Sequence, residues 1–206
     1  MALGILQQFA GINTIMYFGP HVFLSSGVAN PSFAIGATFI LGLINTLATL
    51  FVVFIVDKVG RRKLLLLGTF FSATCLYIIA MTFGQSSSWW MIAIMMAYIF
   101  FYAISLGSMF WLLISEIYPA NTRSMAMSIV TAIQWLANFI IALSFLPLQN
   151  YLPNEGDVFY IFSLMCFLAF IISYYFVPET KGVSLEIIER NVNRGVKLKD
   201  LGQAGS

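Results

Sequence analysis

Four stretches of this sequence, 1–56, 64–115, 124–154 and 158–178, contain no Asp, Glu, Lys or Arg. A hydrocarbon layer about 30 Å thick is crossed by roughly 20 apolar residues in a helix, and a backbone in lipid has to satisfy its own polar groups. Uncharged runs of this length therefore predict membrane-spanning helices. Barrel strands would be about 10 residues long and would alternate in polarity; these runs are continuous, which excludes a barrel. Charged residues make up 9% of the chain against about 25% in soluble domains, which excludes a water-soluble globule. The net charge of +2 gives no basis for a nucleic-acid partner. Cys75 and Cys166 each lie inside an apolar run and read as buried thiols rather than as a disulfide framework.

The first run is too long for one crossing and breaks near Ser25–Pro31; the second breaks at Gly84–Ser88. The expected spans are 2–25, 32–56, 64–83, 89–116, 124–146 and 158–177, with a turn region over Pro147–Asp157. The fold class is thus an all-α membrane protein with six transmembrane helices: a helical unit over 1–182, then a cytoplasmic amphipathic segment and tail over 183–206. Lys58, Arg61, Arg62 and Lys63 follow the second span, Arg123 the fourth, and Lys181, Arg190, Arg194, Lys197 and Lys199 the sixth; the other three connections hold no Lys or Arg. Basic loops stay on the cytoplasmic side, so both termini are expected there, in a cell membrane. The first span lacks a basic start and carries Gln7 and Gln8, so no cleavable signal is expected. In the tail, Leu185, Ile188 and Val192 recur at helical spacing, which predicts a surface helix followed by a frayed end over Leu198–Ser206.

Polar side chains are costly inside a membrane and turn toward a cavity or another helix. The first span concentrates them in Gln7, Gln8, Asn13, Thr14 and Tyr17. At about 100° per residue one regular helix does not aim Gln7, Gln8 and Asn13 at one point, but a bend near Gly11 would, and Gly19-Pro20 offers a second break. The second span adds Asn45 beside Gly42 and Thr49; the fourth adds Gly107, Trp111 and Ser115; the fifth adds Gln134, Trp135 and Asn138. Interhelical hydrogen bonding and lining of a mid-membrane site both account for these amides. Trp89 and Trp90 fit the usual interfacial belt, whereas Trp111 and Trp135 lie deeper. Amides that bond hydroxyls, with indoles that cover C–H faces, suit a neutral sugar better than an ion. No catalytic set is present: His21 is the single histidine, no metal-ligand spacing occurs, and neither an enzyme nor a cofactor is expected.

The charged inner elements are Asp57-Lys58-Val59-Gly60-Arg61-Arg62, Glu116 with Arg123, and Pro178-Glu179-Thr180-Lys181-Gly182. They serve either as positive-inside decoration with helix stops or as a cytoplasmic gate of ion pairs. In the gate reading its members are Asp57, Gly60, Arg61, Arg62, Glu116, Arg123 and Glu179. Glu116, at an inner helix end, needs a basic partner, for which Arg61, Arg62 and Arg123 are candidates.

Gln7-Gln8-Phe9-Ala10-Gly11-Ile12-Asn13, Asp57…Gly60-Arg61-Arg62, Trp111…Ser115-Glu116-Ile117-Tyr118-Pro119…Arg123, Gln134-Trp135-Leu136-Ala137-Asn138-Phe139 and Pro178-Glu179-Thr180-Lys181-Gly182 follow one another in the order seen in a known family. The chain resembles the C-terminal six-helix half of the sugar porter family of the major facilitator superfamily. The resemblance implies half of a bundle built as a 3+3 inverted repeat, with Gln7, Gln8, Asn13, Asn45, Trp111, Gln134 and Trp135 contacting a monosaccharide and Tyr17 and Phe18 at an outer gate. The fifth-span motif is similar to that of bacterial proton-coupled pentose and hexose porters, which favours a bacterial inner membrane. The expected function is monosaccharide transport by alternating access, as a half or fragment of a sugar:proton symporter or facilitator. Its partners would be the missing N-terminal six-helix half and the lipid bilayer. The alternative is a non-transporting membrane sugar sensor on the same half-fold. The chain departs from the family at Ser105–Phe110, where a proline-rich stretch is replaced, and a stiffer fourth span is expected there.

Overall fold

In the computed structural model the described residues are 2–28, 30–85, 88–119 and 121–202. Parts of the breaks expected at Ser25–Pro31 and Gly84–Ser88, and the end of the expected frayed tail at 203–206, lie outside them. The described chain is helical: α1 Ala2–Phe9, α2 Ile12–Ser25, α3 Pro31–Val59, α4 Arg61–Thr82, α5 Ser88–Tyr102, a π-helical segment Ala103–Gly107, α6 Ser108–Ile117, α7 Arg123–Tyr151, α8 Val158–Phe176 and α9 Leu185–Asn193. Among the described residues, five helices are long and apolar enough to cross a membrane: Pro31–Val59, Arg61–Thr82, Trp89–Ile117, Arg123–Tyr151 and Glu155–Phe176. The segment expected as a continuous first span over 2–25 is instead the pair α1 and α2.

The pair is split because Gly11 adopts φ +85°, a left-handed conformation that ends a helix and that residues with a Cβ adopt at a cost. Its α-hydrogen face lies against the Phe162 ring of α8, where a Cβ would fall 2.4 Å from Cδ2. Glycine is thus required twice over. A second irregularity follows at Phe18 (φ −107°, ψ 15°), just before Pro20.

Other boundaries also move from their expected places. α3 begins where Asn30 accepts hydrogen bonds from the amides of Ser32 (2.9 Å) and Phe33 (3.4 Å), with Pro31 at the first helical position, a favoured helix start. It runs through Asp57 and Lys58 to Val59, so the expected loop over 57–63 shrinks to Gly60 between two helices. α7 does not stop at 146: Pro147 lies inside it, and the helix ends only at Tyr151. A proline removes one ladder bond, and here buried Phe145 and Gln149 on either side of it anchor the continuing turn. The fourth span is not a plain helix over 89–116, since the stretch around Gly107 is π-helical; this turn interrupts the ladder without proline. The tail is ordered as far as it is described. Leu198–Asp200 form a 3-10 turn, Leu201 is buried, and Asn191 Nδ2 donates to the Leu201 carbonyl at 3.0 Å. Ile188 and Asn191 form the buried face of α9, whereas Leu185 is exposed.

The main apolar cluster forms where α4 packs along α8 and α5, with Leu65, Leu76, Ile79, Met95, Tyr98, Phe159 and Cys166 buried; a smaller one joins Phe110 and Ile114 of α6 to Val130 of α7. Phe39, Leu47 and Phe54 of α3 point away from it, as expected for a lipid-facing surface.

Gly11→Ala is expected to destabilise the chain by at least about 1–2 kcal/mol from the backbone alone, with the Phe162 clash added. A lower thermal unfolding midpoint in detergent checks this; a midpoint within 1 °C of the parent (roughly 0.5 kcal/mol or less) would contradict it.

Candidate functional site

The polar side chains gather where α1 gives way to α2. The amide of Gly11 donates to the Gln8 carbonyl at 3.1 Å and that of Ala10 to Leu6 at 2.9 Å, a tightened last turn. The break brings Asn13 back toward Gln8, and Asn13 Nδ2 donates to Gln8 Oε1 at 2.7 Å. Gln7 points the other way, into the bundle. Its Nε2 donates to the Leu106 carbonyl in the π-helical segment at 2.9 Å, and its Oε1 accepts from Gln134 Nε2 of α7. Gln7 and Gln134 are 4% and 3% exposed, so this amide pair is shielded and its hydrogen bonds are hard to replace by water.

Backbone groups at the break are satisfied by α5. Tyr98 Oη donates to the Ala10 carbonyl at 2.7 Å and Tyr102 Oη to the Gln7 carbonyl at 3.2 Å. Further along α2, Asn138 Nδ2 of α7 donates to Tyr17 Oη at 3.4 Å. There Phe18 stacks on Phe145, ring centroids 5.4 Å apart, and Phe145 stacks on Phe162 at 6.2 Å.

The structure thus brings together Gln7 with Gln134, Gln8 with Asn13, and Tyr17 with Asn138. It does not gather the indoles with the amides. Trp135 is 61% exposed: with Gln134 turned inward, its neighbour about 100° round the helix is turned out. Trp111 is partly exposed and lies edge-on to Phe110 at 5.3 Å. Asn45 is half-buried on α3, near Gly42, whose α-carbon faces the Met16 side chain of α2. A cavity of about 490 Å³ lies beside α1, α6 and α8. Its walls, including Leu3, Phe110, Leu113, Ile117, Phe176 and Leu198, are apolar and contain none of these amides.

A second polar cluster lies around the turn between α3 and α4. Gly60 takes φ +102° between α3 and α4, and a Cβ there would meet the Glu179 carboxylate at 2.5 Å. This close turn lets Glu179 Oε1 accept from the backbone amides of Arg61 (2.9 Å) and Lys181 (3.2 Å). The Arg61 guanidinium bridges two carboxylates: Nη1 pairs with Asp57 at 2.8 Å, and Nε and Nη2 donate to Glu116 Oε1 at 3.2 and 3.1 Å. Glu116 Oε2 accepts from the Thr180 hydroxyl, and Lys181 Nζ donates to the Lys58 carbonyl at 2.6 Å. Of the three candidates for Glu116, Arg61 alone pairs with it among the described residues. Arg62 instead donates to the Tyr174 carbonyl at 2.6 Å, with its guanidinium carbon 5.7 Å from the Tyr174 ring centroid. Arg123 Nε donates to the Tyr118 carbonyl at 3.2 Å, closing the turn between α6 and α7.

Sequence reasoning missed Tyr98, Tyr102, Tyr174 and Thr180. Tyr98 and Tyr102 carried a signal, because two tyrosines spaced i, i+4 share one helix face and a buried phenol needs a partner.

Comparison with known proteins places this arrangement. The family described as "Sugar (and other) transporter" matches residues 1–192. The galactose-proton symporter of Escherichia coli K12 is 37% identical over 205 residues, covering 97% of this chain and 44% of its own length. The D-xylose-proton symporter of the same organism is 35% identical over 193 residues, covering 91% of this chain and 39% of its own. The chain therefore spans less than half the length of these relatives. Among solved structures, a proton:xylose symporter of the major facilitator superfamily bound to 6-bromo-6-deoxy-D-glucose superposes with a TM-score of 0.78 at 31% identity, over 97% of this chain and 40% of that one. An inward-open xylose transporter from E. coli gives a TM-score of 0.79 at 33% identity, over 91% and 40%. With helices of the major facilitator type and a family match running from the broken first span to α9, the chain belongs to the sugar (and other) transporter family.

Proposed function

We propose that this chain forms the C-terminal half of a monosaccharide transporter that works by alternating access, its α1–α2 pair and the five long helices making six spans in a 3+3 inverted repeat. The observation that carries the reading is that two amide pairs, Gln8 with Asn13 and Gln7 with Gln134, flank one interruption of the first span. Amides bonded to one another at such a break exchange those bonds for sugar hydroxyls at little net cost, because each bond lost is replaced by one of the same kind. Asn45 borders the same site from α3. Trp111 and Trp135 lie on surface that the described residues leave open, where a complementary six-helix N-terminal half would sit; their rings then cover C–H faces of the sugar. Tyr17 and Phe18, beside the second irregularity, form the outer gate.

The inner gate is the Arg61 cluster. Asp57, Gly60, Arg61, Glu116 and Glu179 hold the inner ends of α3, α4, α6 and the segment after α8 together, while Arg62 and Arg123 secure neighbouring carbonyls. Opening toward the cytoplasm requires this knot to loosen. The protein lies in a bacterial inner membrane with both termini cytoplasmic. No described span interior carries Asp or Glu, so in a proton-coupled protein the proton-binding acid belongs to the other half.

The test is uptake of labelled galactose, xylose and arabinose into proteoliposomes. Saturable uptake is expected when the chain is joined to an N-terminal half from a sugar-porter relative, and background uptake from the chain alone; robust uptake by the chain alone would overturn the half-transporter reading. Gln134→Ala is expected to weaken sugar binding by about 1–3 kcal/mol, and unchanged affinity would remove it from the site. Arg61→Met is expected to raise the labelling rate of cysteines introduced at the inner end of α6, with a smaller rise for Arg62→Ala. Equal rates in all three proteins would end the gate assignment.

A further inference from the structure

The break in the first span and the π-helical segment between α5 and α6 are separate in sequence but meet in the structure. One hydrogen bond joins them directly, and two more tie the break to α5, the helix that runs into the π segment. Gln7 Nε2 donates to the carbonyl of Leu106, inside the π segment. Tyr102, the last residue of α5 before that segment, donates its hydroxyl to the Gln7 carbonyl. Tyr98, one turn earlier, donates to the Ala10 carbonyl. Both acceptors on the first span lie outside its helical ladder, since Gly11 has turned its amide to Gln8 and α2 starts afresh from the Gly11 carbonyl. Buried carbonyls in a lipid-spanning element must find donors, and both phenols are almost fully buried.

We infer that Tyr98 and Tyr102 are positioning residues: their hydroxyls fix the break at Gly11, and through it the aim of Gln7 and Gln8, and they tie that break to the π segment so that the two interruptions change shape together. The inference rests on the transporter reading for its consequence to sugar binding, but not for the mechanical coupling. The chemistry is selective. A phenol reaches a backbone carbonyl from a neighbouring helix without needing a polar residue on the broken one, and phenylalanine would fill the same space while leaving the carbonyl bare. Because Gln7 gives its side-chain amide to the π segment and takes a phenol on its own carbonyl, any turn of Gln7 toward a ligand pulls on Leu106. A change at the π segment acts on Gln7 in return.

The experiment compares Tyr98→Phe, Tyr102→Phe and a control, Tyr77→Phe, whose ring sits half-exposed against Tyr160. The full chain in lipid nanodiscs is followed by hydrogen–deuterium exchange. Tyr98→Phe and Tyr102→Phe are each expected to speed exchange about tenfold over residues 9–14 and also over 103–108, with α4 and α8 unchanged and the control like the parent. Exchange unchanged within twofold over 9–14 overturns the inference. So does a uniform rise across α4 and α8, which marks a merely structural role. A rise at 9–14 with none at 103–108 refutes the coupling. In the two-half protein, Tyr98→Phe is expected to raise the Kd for the sugar that the parent binds about tenfold. An unchanged Kd alongside faster exchange removes the positioning role. If the parent binds none of galactose, xylose or arabinose, it is the transporter reading that falls, while the exchange result still decides the coupling.

Discussion

A polypeptide that crosses lipid has no water to complete its backbone hydrogen bonds, and two of the breaks in this chain's helical ladder meet inside the bundle. The first span reverses its backbone handedness at Gly11, and the fourth loosens into a π turn over Ala103–Gly107. Either interruption alone would leave bare carbonyls in a setting where each costs several kcal/mol. Placed side by side, they supply each other's partners, two of them through phenols from α5 and one through the Gln7 side chain. The rest of the polar interior is organised around that exchange: Gln7 holds Gln134, and the break swings Asn13 onto Gln8.

The charged cluster around Arg61 obeys a related rule with formal charge. Arg61, mostly buried, faces Asp57 and Glu116 with its side chain, while its backbone amide serves Glu179. One arginine thereby binds three elements that are far apart in sequence. Removing its side chain would strand the Glu116 carboxylate, whose side chain is 14% exposed, which is worse than never having buried it. The polar interior ties α1 and α2 to α5, the π segment and α7, and the Arg61 cluster ties α3, α4 and α6 to the segment after α8.

Much of this could be read from the sequence, for identifiable reasons. Uncharged runs locate lipid-crossing helices because hydrocarbon excludes charge, and each of the five long helices lies mostly within one and carries its charged residues at an end. Gly11 stood out as a place to bend because of the polar residues on either side, although its left-handed conformation depends on the Phe162 ring packed against it. Pro147 misled: a proline ends helices in water, but inside a bundle, packing on either side carries the helix through. Glu116 plainly needed a basic partner, yet three arginines qualified, and choosing among them required knowing how the Gly60 turn points each side chain. The exposed position of Trp135 was hidden for a similar reason, since facing depends on which residue of α7 the Gln7 amide captures.

The pairing of Gln7 with Gln134 and of Phe18 with Phe145 runs at the same sequence offset, so the first span and α7 point the same way. Under the membrane reading, two strands of traffic in one direction must be separated by an odd number of traversals. Between them lie α3, α4 and the α5–α6 rod, which satisfies the parity only if the broken first span and the π-interrupted rod each count as a single passage. Neither irregularity, then, folds the chain back toward the side it came from; each is a joint within one through-going shaft.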